Sequence, residues 1–132
     1  KADTGVKQMI DFNNAAFIKL KPVDANAFTD LISPIFVTGE SILGTYKGIR
    51  DGVVFTTHRI IAINVQGITG KKKDFTSLPY SKIQSFSIET AGTFDLDSEL
   101  ELWFSGLGKV KLEFSTRANV SEIAKIISER IL

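Results

Sequence analysis

The chain has 132 residues and a mass of 14.5 kDa, which is one domain by length and enough to bury a core without disulfides or metal. Hydrophobic residues make up 43% and charged residues 23%, with 16 Lys plus Arg against 15 Asp plus Glu for a net charge of +1, so a globally basic nucleic-acid binder is excluded. There is no Cys and one His, which removes disulfide scaffolds, thiolate chemistry and multi-His metal sites.

Residues 1–22 have poor periodicity. Val6, Met9 and Ile10 fit one helical stripe, and Phe12, Phe17, Ile18 and Leu20 continue it irregularly up to Pro22. This segment is expected to be an N-terminal helical arm, its apolar residues buried against the domain or a neighbouring subunit, with the domain proper at 23–132. Asp24 reads as a helix N-cap ahead of Phe28, Leu31, Ile32 and Ile35 at helical spacing. Pro34 is expected to stop that helix, because the residue before a proline avoids helical dihedrals.

From Gly39 onward the pattern is that of strands. Residues 42–49 and 53–57 are expected to pair as a hairpin through Arg50-Asp51-Gly52, since Asp-Gly suits a tight turn. Thr57-His58 reads as a second tight turn, residues 66–73 as a longer loop, and residues 75–80 and 84–90 as strands with Pro79 at a strand end. In the last hairpin Leu100, Leu102 and Phe104 alternate with polar or outward residues, as do Val110, Leu112 and Phe114. Pairing Leu102 with Leu112 puts all of these on one face and leaves the loop Gly106-Leu107-Gly108. Residues 119–131 are the clearest helix, with Asn119 as cap, an apolar stripe of Val120, Ile123, Ile126, Ile127 and Ile131, and Glu122, Lys125 and Glu129 facing water.

The expected order is a helical N-terminus, about seven strands and one C-terminal amphipathic helix. It resembles the pleckstrin-homology (PH) superfold, and more closely the bacterial PH family. The residues that carry this run from Tyr46-Lys-Gly-Ile-Arg-Asp51 and Val54-Phe-Thr-Thr-His-Arg-Ile60 through Gln66-Gly-Ile-Thr-Gly-Lys-Lys72 and Leu78-Pro-Tyr80. They continue with Glu89-Thr-Ala-Gly-Thr-Phe-Asp-Leu-Asp-Ser-Glu-Leu100 and Trp103-Phe-Ser-Gly106. The resemblance covers about residues 24–131 and implies a mainly β barrel: seven antiparallel strands in two near-orthogonal sheets, capped by the C-terminal helix. It also implies a non-enzymatic, homo-oligomeric protein, with a pentameric ring as the associated arrangement.

Four constellations bear on function. The basic one is Lys47, Arg50, Arg59, Lys71, Lys72 and Lys73; a surface lysine run is ordinarily a solvated turn, and the functional reading is an anion or acidic-partner contact. Only Lys47 and Arg50 flank the short first hairpin turn, so any membrane contact is expected to be weak and salt-sensitive, at about 1 kcal/mol per basic residue. The acidic one is Asp95, Asp97, Glu99 and Glu101, four carboxylates that share one face if the segment is extended. A straight strand does not wrap a cation, so no metal is expected. The functional reading is an interface patch that meets Lys71, Lys72 and Lys73 of a neighbouring subunit, with Lys109 and Lys111 offsetting part of its charge. Third, His58 is expected to be an exposed turn residue outside any catalytic triad. Fourth, the aromatics fall mostly at inward strand positions, without the basic–aromatic interleaving of single-strand nucleic-acid binders.

The sequence therefore predicts a cytoplasmic, non-catalytic scaffold that assembles with itself and binds a protein partner, with no cofactor and no nucleic acid. The competing expectation is a module that binds a membrane surface or an anionic ligand.

Overall fold

The computed structural model describes residues 17–66, 72–89 and 97–132; the side chains of Val65, Gln66 and Lys72 lie outside that description. Among the described residues eight strands and two α-helices follow in the order β1 (Lys21–Pro22), α1 (Thr29–Ile32), β2 (Ile42–Lys47), β3 (Asp51–Thr56), β4 (Arg59–Gln66), β5 (Lys72–Pro79), β6 (Ile83–Glu89), β7 (Ser98–Phe104), β8 (Gly108–Phe114) and α2 (Val120–Ile131). They form a five-stranded sheet, β1-β2-β3-β4-β5, and a three-stranded sheet, β6-β7-β8, antiparallel throughout. The strand beyond the expected seven is β1, only two residues long.

The main core lies between the sheets. Val53, Phe55, Ile60 and Ala62 face Leu100, Leu102, Val110, Leu112 and Phe114 across it, and Ile123, Ile126 and Ile127 of α2 close one end. Tyr46 joins Phe55 and Phe114 edge-to-face, at ring separations of 5.7 and 5.2 Å. Asn119 caps α2 by accepting the Glu122 amide at 3.1 Å, as its spacing predicts. The opposite face of the five-stranded sheet is also buried: Val54, Ile61 and Ile63 pack against Phe28 and Ile32. Two buried faces explain why β3 and the first half of β4 read as continuous apolar runs rather than as an alternation.

The structure departs from expectation where local signals were overridden by packing. Residues 17–22 are not helical. Phe17 and Leu20 are buried in the main core, Leu20 forms a parallel bridge with Phe114, and Lys21 and Pro22 pair with Lys47 and Tyr46. Lys19 takes a left-handed φ of 54°, which redirects the chain from β8 toward β2. Asp24 opens a turn through the Asn26 amide at 3.0 Å instead of capping α1, whose N-cap is Phe28. Helix α1 does end before Pro34, but Ser33 stays right-handed helical, because Pro34 sits in the first turn of a short 3₁₀ segment where its missing N–H costs nothing.

Asp51 and Gly52 belong to β3, not to the turn, which is made by residues 48–50 and closed by the Gly48 amide on the Asp51 carbonyl at 2.8 Å. Glycine at 52 serves packing: a Cβ there would collide with the Phe28 ring. Asp51 accepts a hydrogen bond from Asn64 at 2.7 Å; burial pushes its carboxyl up, only partly offset by Asn64 and Arg50. Strands β4 and β5 extend into the expected 66–73 loop, pairing Gln66 with Lys72 and Val65 with Lys73. In the last hairpin Leu102 pairs with Val110 and Leu100 with Leu112, leaving residues 105–107 as the loop. The shift from the expected register is two residues, which leaves every side chain on its original face, so the apolar pattern could not discriminate the two.

Gly52→Ala should force the Phe28 ring off the sheet and lower unfolding free energy by about 1–3 kcal/mol. Urea unfolding checks this, and Phe28→Leu in the same chain should recover part of the loss.

Candidate functional site

Among the described residues, the basic side chains singled out by sequence lie in separate places. Arg59 is held in a clasp between the β3–β4 turn and the loop before β2. Its Nε and Nη2 each donate to Glu40 at 2.9 Å, Nη2 donates to the Ile35 carbonyl at 2.6 Å, and Nη1 donates to Ser77 at 3.2 Å. Thr56 donates to Glu40 at 2.7 Å, and its hydroxyl accepts the His58 and Arg59 amides at 3.0 Å each. The Glu40 side chain is 0% exposed. Burial pushes its carboxyl up, but hydrogen bonds from Arg59, Thr56 and the Val37 amide, with the Arg59 charge, outweigh it and bring it down to about 2. Arg59 is therefore a structural cation. His58 is exposed in its turn, its Nδ1 2.7 Å from the Thr57 hydroxyl.

Lys47 is exposed at the end of β2, Arg50 lies in the β2–β3 turn, and Lys73 is exposed on β5. All three are at one end of the five-stranded sheet, but β2 and β5 are three strand spacings apart, about 14 Å. Lys72 is placed by its backbone alone, opposite Gln66. Lys71 and Asp95 lie outside the described residues. The described members of the acidic patch have lysine partners within the chain: Asp97 with Lys19 at 3.2 Å, Glu99 with Lys111 at 3.3 Å and Glu101 with Lys109 at 3.5 Å. Lys109 and Lys111 offset that charge as expected, along diagonals of the β7–β8 pair.

What the structure does gather is a second set of cations. Residues 17–22 pass beside the β2–β3 turn and the loop between β8 and α2, and the seam leaves an open groove of about 460 Å³. Lys19, Lys21, Lys47 and Arg117 line it, with Ser115 and Thr116. Gly48 lets the two backbones approach, since a Cβ there would lie 3.0 Å from the Ile18 carbonyl oxygen. Ile49 stands at the rim, 83% exposed. Sequence reasoning missed Lys19, Lys21 and Arg117. No periodic signal marked them: Lys19 turns the chain with a left-handed φ between two short pairings, and Arg117 lies in a loop.

Among the described residues no group of three or more His, Asp or Glu side chains is placed to hold a metal, and no helix is long and apolar enough to cross a membrane. A model of the Bacterial PH domain family matches residues 11–131. The chain belongs to that family. It is 43% identical over 104 residues to the uncharacterized protein YjqA of Bacillus subtilis, spanning 77% of this chain and 83% of that one. Against the uncharacterized protein YozO of the same organism, identity is 34% over 100 residues, or 76% of this chain and 86% of the other. Among solved structures, a DUF1696 family protein with a pleckstrin-homology domain from Shewanella loihica superposes with a TM-score of 0.78 at 39% identity, covering 87% of this chain and 99% of that one. A pleckstrin homology domain from Shewanella amazonensis gives a TM-score of 0.66 at 42% identity, covering 85% and 91%. The PH-like fold expected from the sequence is thereby shown, and the match from residue 11 is consistent with the packing of Phe17 and Leu20 in the core.

The Glu40–Arg59 clasp makes stability depend on acid. A carboxyl whose folded value lies below its unfolded value stabilises the fold above about pH 4.5, and that contribution fades as pH falls toward 2. Glu40→Gln should cost about 3 kcal/mol at pH 7 in urea unfolding, and the gap between variant and parent should narrow steadily below pH 4.5.

Proposed function

We propose that this PH-family chain is a non-catalytic, cytoplasmic binding module that assembles with copies of itself, using its sheet edges and charged loops as contacts. The observation that supports this most is the pair of strands β5 and β6. Among the described residues each is hydrogen-bonded to a neighbour on one side only. An edge of this length is a template for pairing with another chain unless something covers it. On β6, Gln84, Ser85, Ser87 and Glu89 are exposed and Phe86 and Ile88 half-buried, and Phe75 is exposed on β5. A repeated head-to-tail contact between two different edges closes into a ring when the rotation permits, and the family resemblance favours a pentamer. The described acidic residues contribute little to such a contact, because Asp97, Glu99 and Glu101 already pair within the chain.

A second reading, an anionic-ligand or membrane-surface module, is supported by the basic seam groove, which no acidic side chain lines among the described residues.

Light scattering after size exclusion, at low and high salt, tests the assembly. The expected result is a stable multimer well above 14.5 kDa at both salts. Ser85→Lys together with Ser87→Lys, which charge the β6 edge, should shift the mass toward the monomer while circular dichroism stays unchanged. A monomeric parent chain rejects the proposal.

A further inference from the structure

We infer that residues 24–40 are a strap that lifts from the larger sheet as one unit, and that its latch is wired through the β3–β4 turn to the last turn of α2. Backbone bonds anchor the chain just outside each end of the strap. The Val23 amide donates to the Thr45 carbonyl at 3.0 Å, and the Thr57 amide donates to the Ser41 carbonyl at 2.9 Å. Between these anchors, among the described residues, the backbone–backbone hydrogen bonds of residues 24–40 stay within the strap, as from Ile32 to Phe28, Phe36 to Ser33 and Glu40 to Val37. Side chains hold the strap down. Phe28 and Ile32 cover Val54, Ile61 and Ile63, and Arg59 grips the far end through the Ile35 carbonyl and the Glu40 carboxylate. A four-residue helix followed by a 3₁₀ turn has little stability of its own. A segment with fixed ends and so few cross-links between them opens at a lower free energy than the domain that carries it.

The latch does not end at Arg59. The Thr56 hydroxyl donates to Glu40 at 2.7 Å and accepts the Arg59 amide at 3.0 Å, so the strap and the β3–β4 turn share one buried group. The Thr56 carbonyl accepts the buried Tyr80 hydroxyl at 2.8 Å. Tyr80 opens the 3₁₀ turn between β5 and β6 (Tyr80–Lys82), and its ring carries Arg130 of α2, with Cζ 5.9 Å from the ring centroid. Arg130 Nη1 in turn donates to the Ile126 carbonyl at 2.9 Å and lies 3.8 Å from Glu129. Lifting the strap breaks the bonds from Arg59 and Thr56 to Glu40 and frees the turn that Tyr80 grips. Weakening that grip favours the lifted strap in the same measure, because the coupling is reciprocal. The lifted state uncovers Val54, Ile61 and Ile63. A contact made at the last turn of α2 therefore biases whether this apolar strip is covered.

The test is native-state amide hydrogen exchange on the full chain in increasing urea, with Tyr80→Phe and Ile32→Val as variants. In the parent, the Leu31, Ile32 and Phe36 amides should exchange at one common rate, at least about tenfold faster than those of Val54 and Ile61. That rate should rise with urea, since opening the strap exposes buried surface and local fraying does not. Tyr80→Phe removes the hydroxyl and keeps the ring beneath Arg130. It should speed the three strap amides about three- to tenfold and leave those of β7 and β8 at the parent rate. A bond that serves only its own neighbourhood would speed exchange near Tyr80 and leave the strap alone. Ile32→Val thins the packing under the strap and should speed the amides of the last turn of α2. Strap amides that exchange only at the rate of β3 and β4, or at unrelated rates insensitive to urea, overturn the strap. Parent-like strap rates in Tyr80→Phe, an equal acceleration of every amide, or an unmoved α2 in Ile32→Val overturn the wiring.

Discussion

Three backbone hydrogen bonds tie residues 17–20 to the edge of β8: the Leu20 amide to the Glu113 carbonyl at 2.9 Å, the Glu113 amide to the Phe17 carbonyl at 2.8 Å, and the Ser115 amide to the Leu20 carbonyl at 2.8 Å. One turn later the same segment pairs with β2. Five-stranded and three-stranded sheets are thereby joined along an edge that neither could satisfy alone, and two large side chains, Phe17 and Leu20, enter the core between them. The groove follows from this crossing. Without it, Lys21 would not face Lys47, and Gly48 would have no backbone to accommodate.

A second constraint works on the outer face of the larger sheet. Phe28 and Ile32 cover Val54, Ile61 and Ile63, which leaves the sheet with no wet face at its centre. The cover is short, a single turn of α1 followed by a 3₁₀ turn, and short helices are marginal by themselves. The clasp around Glu40 holds its far end: Arg59 reaches both the Ile35 carbonyl and the Glu40 carboxylate from the β3–β4 turn. Arg59, conspicuous in sequence as a candidate ligand cation, is thus used to pin the cover in place.

Elements whose own pattern carried the information were legible. The α2 stripe with its Asn119 cap, the Thr57-His58 turn and the two-faced alternation of β7 and β8 needed nothing beyond their neighbours in sequence. Misreadings arose where a distant contact decided. Asp51-Gly52 carries turn chemistry, yet Phe28 uses the bare glycine and Asn64 uses the aspartate. The β7–β8 register was ambiguous by two residues because the pleat repeats every two. Residues 17–22 lacked periodicity because they bridge two sheets instead of lying on one face of a helix. The groove was illegible for the same reason: its cations come from three separate chain segments, and only the fold brings them together. Lys47 alone was common to the sequence reading and the groove.

The crossing of residues 17–22 between the sheets is the feature from which the core closure and the groove both follow. Amide hydrogen exchange on the full chain measures it directly. The Leu20, Glu113 and Ser115 amides should exchange as slowly as those of β3 and β4, because they open only with the global unit. Exchange of these three at the rate of an exposed loop, with β3 and β4 still protected, would mean that the segment does not join the sheets and that the groove is not a built part of the fold.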